Sequence, residues 1–285
     1  MKSSRLFFPA LATLVLAVAS SSPISAQQVS VSKTTPAVSS GAAGVDTERI
    51  IREFTTKEVT FRQALNQYSF KRDAVIQTIG MGGQISGEYH RVSRFVFGDD
   101  GQRYEKILMF PLPTLTEMTV TAEDIEDLGG VNAFALEANK INLYNFSYVG
   151  KEKIDELNLY VFDVTPKVIP DAKKTKDRVF QGRIWIDDQD LQIVKVKGKG
   201  LPETKNNRYP TFETYREQID GKYWFPTYTY ADEELVFGNG QVVHMRLRIT
   251  FSDFERARAK VKIIDEGQDI IDEPTAKPTP EKKKP

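Results

Sequence analysis

The ordered part of the chain opens on one period and continues on another. Ile51, Phe54, Phe61, Leu65 and Tyr68 recur at spacings of three, four or seven and form one apolar stripe through Arg49–Gln67, the pattern of an amphipathic helix about 30 Å long. Thr55-x-x-Glu58 inside the stripe matches a capping box and predicts a restart of the helix midway. From Tyr68 onward apolar and polar residues alternate. The clearest case is Gln241–Ser252, where Val243, Met245, Leu247, Ile249 and Phe251 point one way and His244, Arg246, Arg248 and Thr250 the other. Ile184 and Ile186 flank Trp185, Val194 and Val196 alternate with Lys195 and Lys197, and Tyr144, Phe146 and Tyr148 share a face.

Asp100-Gly101, Asp220-Gly221 and Asn239-Gly240 supply residues that tolerate positive φ in tight hairpins, and Asp155-Glu156 and Asp187–Asp190 are looser turn signals. The reading is about eleven strands in meander order, many of them longer than the usual five or six residues. A sheet with one apolar face must cover it, so the strands form half of a barrel or sandwich. The meander breaks at Pro111–Lys140, where Thr121-Ala122-Glu123-Asp124 starts a short helical stretch that Gly129-Gly130 ends. Ile125, Leu128, Val131, Phe134 and Leu136 in this segment either lie over the mouth of a curved sheet or pack as a surface crossover. Pro226, inside Tyr223–Tyr230, predicts an edge strand or a bulge.

Both ends of the chain differ from this middle. Lys2 and Arg5 precede the apolar run Leu6–Ala19, and Ser22–Ala26 provides a break and a small residue, so residues 1–26 read as a secretory signal cut after Ala26. About 14 apolar residues are too few to span a bilayer, which needs roughly 20. Residues 27–44 read as a flexible linker, 45–267 as the folded domain, and 268–285, with the run DEPTAKPTPEKKKP, as a disordered tail. The product is expected to be periplasmic or secreted, with no transmembrane segment after cleavage.

Composition narrows the chemistry. The 285 residues carry 39 Lys+Arg against 39 Asp+Glu; without Lys2 and Arg5 the mature balance is 37 against 39, a net of −2. Near-neutrality argues against a broad phosphate-binding surface and so against nucleic acid as a partner. The absence of cysteine excludes disulfides, thiolate nucleophiles, Cys-based metal sites and a lipid anchor on this protein. With only His90 and His244, a three-His metal site is excluded too. No nucleophile elbow, zinc-binding H-E-x-x-H or phosphate loop is present. Ser30-x-x-Lys33 lies in the linker, Gly80-x-Gly82-Gly83 precedes strand-like residues, and Asp187, Asp188 and Asp190 lack the rest of a calcium loop. Neither catalytic residues nor a cofactor or metal site is expected.

An export signal, one long helix, long antiparallel strands and a mid-chain interruption precede the run Gly182–Val196 (GRIWIDDQDLQIVKV), and Tyr148–Glu152 and Tyr160–Val164 lead into it. Together they resemble the LolA-like superfamily of periplasmic lipoprotein carriers, which includes receptor and stress-sensor relatives. The resemblance implies an α+β, mainly β fold: an incompletely closed β-barrel with the N-terminal helix and a short helical lid segment on its concave side, and a cavity for acyl chains. The carrier's lid-locking arginine has no firm match; Arg91, Arg94 and Arg103 are placed suitably. On this reading Tyr144, Phe146, Tyr148, Ile184, Ile186, Val243, Met245, Leu247 and Ile249 are the candidate ligand-binding wall, and Ile125, Leu128 and Phe134 the candidate lid. The same wall residues suit an ordinary dry core, and Trp185 and Trp224 suit packing as well as ligand contact. Three functions stay open: a binder of lipid or lipoprotein acyl chains, a sensor or scaffold that contacts envelope proteins, and a hydrolase with an unrecognised site.

Overall fold

A computed structural model describes residues 44–121, 124–125, 136, 138–175 and 177–257, all within the compact unit Pro36–Pro285. The expected signal, linker and tail lie outside these residues, apart from Gly44. Helix α1 spans Thr47–Leu65. Asp46 caps it by accepting the Arg49 N–H at 2.9 Å, with Glu48 in the first turn and Arg62 in the last, each suited to its end of the helix dipole. The midway restart does not occur. The Thr55 hydroxyl donates back to the Ile51 carbonyl at 2.8 Å, and Glu58 turns to a distant arginine, so α1 runs through unbroken.

Ten strands follow: β1 Tyr68–Ile79, β2 Ile85–Phe97, β3 Arg103–Met109, β4 Tyr144–Ile154, β5 Leu157–Pro166, β6 Val179–Asp187, β7 Ile193–Leu201, β8 Phe212–Ile219, β9 Tyr223–Val236 and β10 Val242–Arg256. The described residues thus hold ten strands, against an expectation of about eleven. Pro111 and Pro113 cannot donate to a ladder, and β3 stops just before them. The expected turns form where positive φ is available: Asp220 and Gly221 both adopt it in the β8–β9 hairpin, as do Gly101 and Gly240 in theirs.

One antiparallel sheet holds all ten strands, in the order β3-β2-β1-β10-β9-β8-β7-β6-β5-β4. The chain therefore enters at the middle of the sheet, walks to the β3 edge, crosses through residues 110–143 to the β4 edge, and walks back until β10 pairs with β1. β3 and β4 stay unpaired with each other, leaving an unclosed half-barrel. β9 is an interior strand, so of the two expectations for Pro226 the bulge holds and the edge does not: the register passes from Tyr215↔Tyr228 to Arg216↔Pro226 and skips Thr227, so the ladder is interrupted beside the proline.

Alternation decides what each face does. Val243, Met245, Leu247, Ile249 and Phe251 on β10 are buried, while Arg246 and Arg248 are exposed on the other face. α1 lies against the concave side. Phe54 meets Phe146 of β4 edge-on at 5.6 Å, and Phe61 meets Phe225 of β9 at 5.8 Å. Ile50, Phe54, Phe61, Ala64 and Leu65 join the inner strand residues in one core. A smaller cluster of Leu159, Val161, Trp185 and Val194, flanked by Trp224, packs separately from it.

Candidate ligand-binding site

The concave face is tied to α1 by charge as well as by packing. The Arg216 guanidinium of β8 donates to both carboxylate oxygens of Glu58, at 2.5 and 3.0 Å, and lies over the Phe61 ring at 4.5 Å. At the C-terminal end of α1, Arg103 of β3 donates to the Leu65 carbonyl at 2.6 Å, a helix carbonyl beyond the reach of intrahelical donors, and to the Asn66 side-chain Oδ1 at 3.2 Å. Arg91 pairs with Glu105, which also accepts from the buried Arg72, and Arg94 pairs with Glu255. Of the three arginines singled out in the sequence, Arg103 is the one bonded to α1.

Most of the candidate wall therefore lies in the packed core. Ile184, Ile186, Leu247 and Ile249 are fully buried, and Val243 nearly so. Tyr144 is buried too, its hydroxyl accepting the Phe180 N–H at 3.1 Å, and burial raises its pKa. Phe146 packs on Phe54, and Tyr148 packs on Phe162 at 5.3 Å. Met245 is the candidate that also borders open space. A cavity of about 320 Å³ lies where β1 and β10 meet the crossover, the β7–β8 loop and the β9–β10 hairpin. Its lining includes buried Ile76, Met245 and Tyr209 and exposed Glu117, Asn207 and Gln241, so it offers both apolar and polar groups.

Arg208 supplies the cavity's distinctive group. It pairs with Glu203 at 3.5 Å, yet its Nε–H is buried with no partner among the described residues. A buried donor left unpaired costs about 1–3 kcal/mol; the Nε–H is itself out of reach of solvent, whereas the side chain as a whole is 31% exposed. Sequence reasoning missed Arg208, Tyr209, Ile76 and Phe237 because they come from three separate segments that share no period.

At the crossover, Thr121 and Asp124 form the expected reciprocal cap: the Asp124 N–H donates to Thr121 Oγ1 at 3.1 Å and the Thr121 N–H to Asp124 Oδ2 at 2.9 Å. Asp124 also pairs with Arg178 at 3.3 Å. Ile125 and Leu136 are buried in the core; Leu128, Val131 and Phe134 lie outside the described residues. Trp185 and Trp224 belong to the smaller cluster rather than to the cavity, their indole N–H groups donating to Glu152 and Asp190, each at 2.7 Å. His90 pairs with Asp73 and His244 with Asp232. Among the described residues no group of three or more His, Asp or Glu is placed to hold a metal ion.

No family model matches the chain, and no curated protein matches it in sequence. Among solved structures it is similar to a DUF1329 family protein from Desulfovibrio piger ATCC 29098, at 17% identity over 77% of this chain and 95% of that one, with a TM-score of 0.35. It is also similar to a putative outer membrane lipoprotein-sorting protein domain from Vibrio parahaemolyticus, at 10% identity over 72% and 92% of the two chains and a TM-score of 0.32. MucB in its complex with MucA(peri) is 9% identical over 72% of this chain and 100% of that one, with a TM-score of 0.22. Separately, no helix among the described residues is long and apolar enough to cross a membrane.

Proposed function

We propose that this chain is an exported, non-enzymatic binding protein of the cell envelope that shelters the apolar chain of a lipid-like ligand in the half-barrel. The observation that carries the reading is the cavity beside Met245, lined by buried Ile76 and Met245 together with the part-exposed Arg208 side chain. Such a site suits an amphiphile whose acceptor head meets Arg208 while its tail covers Ile76 and Met245. Ligand cavities commonly measure about 300–1,000 Å³, so 320 Å³ accommodates one short chain. The several long chains of a lipidated protein would require the crossover to shift. About six sheltered methylenes are worth roughly 5 kcal/mol before ordering costs.

A second reading is favoured by a different observation. The concave face beneath α1 is filled with side chains of near-zero exposure, as suits a sensor or scaffold of the same fold that works through protein contacts. The two are separated by native mass spectrometry of gently purified protein and by uptake of a dodecanoate probe. Binding predicts one bound amphiphile, displaced by dodecanoate and lost in a cavity-filling Met245→Trp variant that keeps its fold. Bare polypeptide with no dodecanoate uptake would overturn the binding reading and leave the scaffold.

A further inference from the structure

The two ends of the half-barrel differ in chemistry. The turns beside the C-terminal end of α1 are acidic: Asp99 and Asp100 between β2 and β3, Asp155 and Glu156 between β4 and β5, Asp188 and Asp190 between β6 and β7, and Asp220 between β8 and β9. Exposed apolar side chains gather at the opposite end. Met81 tips the β1–β2 hairpin, and Val236 and Val242 flank the β9–β10 hairpin. The loop between β5 and β6 adds Val168, 75% exposed, and Ile169, 54% exposed.

That loop combines apolar and basic groups. Val168 and Ile169 directly follow exposed Lys167 and precede exposed Lys173 and Lys174. The Lys167 N–H donates to the Leu143 carbonyl at 2.8 Å, which places a further exposed apolar residue beside the pair. Lys174 lies 3.8 Å from Asp171, whereas Lys167 and Lys173 make no ion pair among the described residues.

We propose that this loop docks the protein on an anionic lipid surface, the lysines meeting headgroups while Val168 and Ile169 enter the interface. A stable protein interface buries roughly 1,200–2,000 Å² of continuous complementary surface. The apolar groups here instead stand on three separate projecting turns, which a lipid surface can meet together. Basic groups near anionic lipid each add attraction, and inserted apolar side chains add to it. The proposal stands whether or not the cavity holds a ligand.

Flotation of the full chain with phosphatidylglycerol vesicles and with phosphatidylcholine vesicles tests it. The wild type should float with phosphatidylglycerol, less with phosphatidylcholine, and progressively less as salt rises. Lys167→Gln/Lys173→Gln/Lys174→Gln should weaken binding to the anionic vesicles about fivefold per lysine, or about a hundredfold together. Val168→Ser/Ile169→Ser should weaken binding to both vesicle types. All five positions are exposed, so unchanged unfolding midpoints are expected, and the salt dependence of the wild type needs no variant. Absent wild-type binding, or unaltered binding by both variants, would overturn the proposal. Capture of an envelope protein through this loop without vesicle binding would also overturn it and assign the face to a protein partner.

Discussion

The ion pair between Glu58 and Arg216 is the sharpest test of how α1 is held. Both side chains are almost wholly buried, at 4% and 7% exposure, and the contact is bidentate. Removing one partner from such a pair leaves a charge without its counterion in a dry interior, which costs about 3–5 kcal/mol. A domain of this size loses about 2–4 °C of melting temperature per kcal/mol, so Glu58→Leu and Arg216→Met should each lower the midpoint by about 6–20 °C. The double variant Glu58→Leu/Arg216→Met removes both charges together and should be more stable than either single variant, because the desolvation cost disappears with them. Urea unfolding of the four proteins gives the coupling energy. Singles within about 0.5 kcal/mol of wild type, a range usual for surface substitutions, or a double equal to the sum of the singles, would refute the claim that this pair clamps the helix. Variants that remain folded but bind a hydrophobic dye would show α1 lifting from the concave face before global unfolding.

Two further outcomes follow from burial and charge. Leu247 is fully buried, so Leu247→Ala should cost about 2–5 kcal/mol and Leu247→Asp should unfold the domain by circular dichroism; a folded Leu247→Asp that had lost only ligand uptake would make this face a cavity wall. Burial pushes the Glu213 carboxyl up, but hydrogen bonds from Lys197, Tyr215 and Lys195 outweigh it and bring the pKa down from 4.5 to about 2. Because the folded value is the lower one, its stabilisation is present above pH 4.5 and is lost as pH falls towards 2. Glu213→Gln should flatten the dependence of the urea midpoint on pH across that window, and an unchanged slope would exclude the assignment.

Features governed by local periodicity were legible in the sequence. The α1 stripe, the alternation of Gln241–Ser252 and the Asp-Gly and Asn-Gly turns each depend on residues a few positions apart, and each occurs where expected. Features set by distant contacts were not. Thr55-x-x-Glu58 satisfies a capping motif, but Glu58 is claimed by Arg216, 158 positions away. Pro226 fits an edge strand or a bulge equally well by sequence, and only the pairing of β9 with β8, which skips Thr227, decides for the bulge. Alternation groups the apolar residues of a strand on one face without saying what covers them, and here α1 packs on that face through Phe54 and Phe61. The cavity collects Ile76, Arg208, Tyr209, Phe237 and Met245 from separate strands and loops, and no window of sequence holds them together.

This arrangement constrains how a larger guest could enter. Parting two strands would break a continuous ladder from β3 to β4, and lifting α1 would expose the Glu58–Arg216 pair. The crossover is held more lightly where it is described: the Thr114 N–H donates to the Glu88 carbonyl at 2.9 Å, Gln241 Nε2 meets the Glu117 carbonyl at 3.4 Å, and Asp124 pairs with Arg178. Among its described residues Ile125 and Leu136 are the fully buried apolar anchors, worth about 1.5–3 kcal/mol each, and Leu115, Met118 and Val120 pack less deeply against the core. Displacing Ile125 and Leu136 would cost about 3–6 kcal/mol, which about four to eight newly sheltered methylenes at 0.8 kcal/mol each would offset. A chain that merely fills the existing space has no reason to move the crossover, whereas one longer by that margin does. The boundary between a small-amphiphile binder and an acyl-chain carrier therefore depends more on Ile125 and Leu136 than on the residues of the sheet.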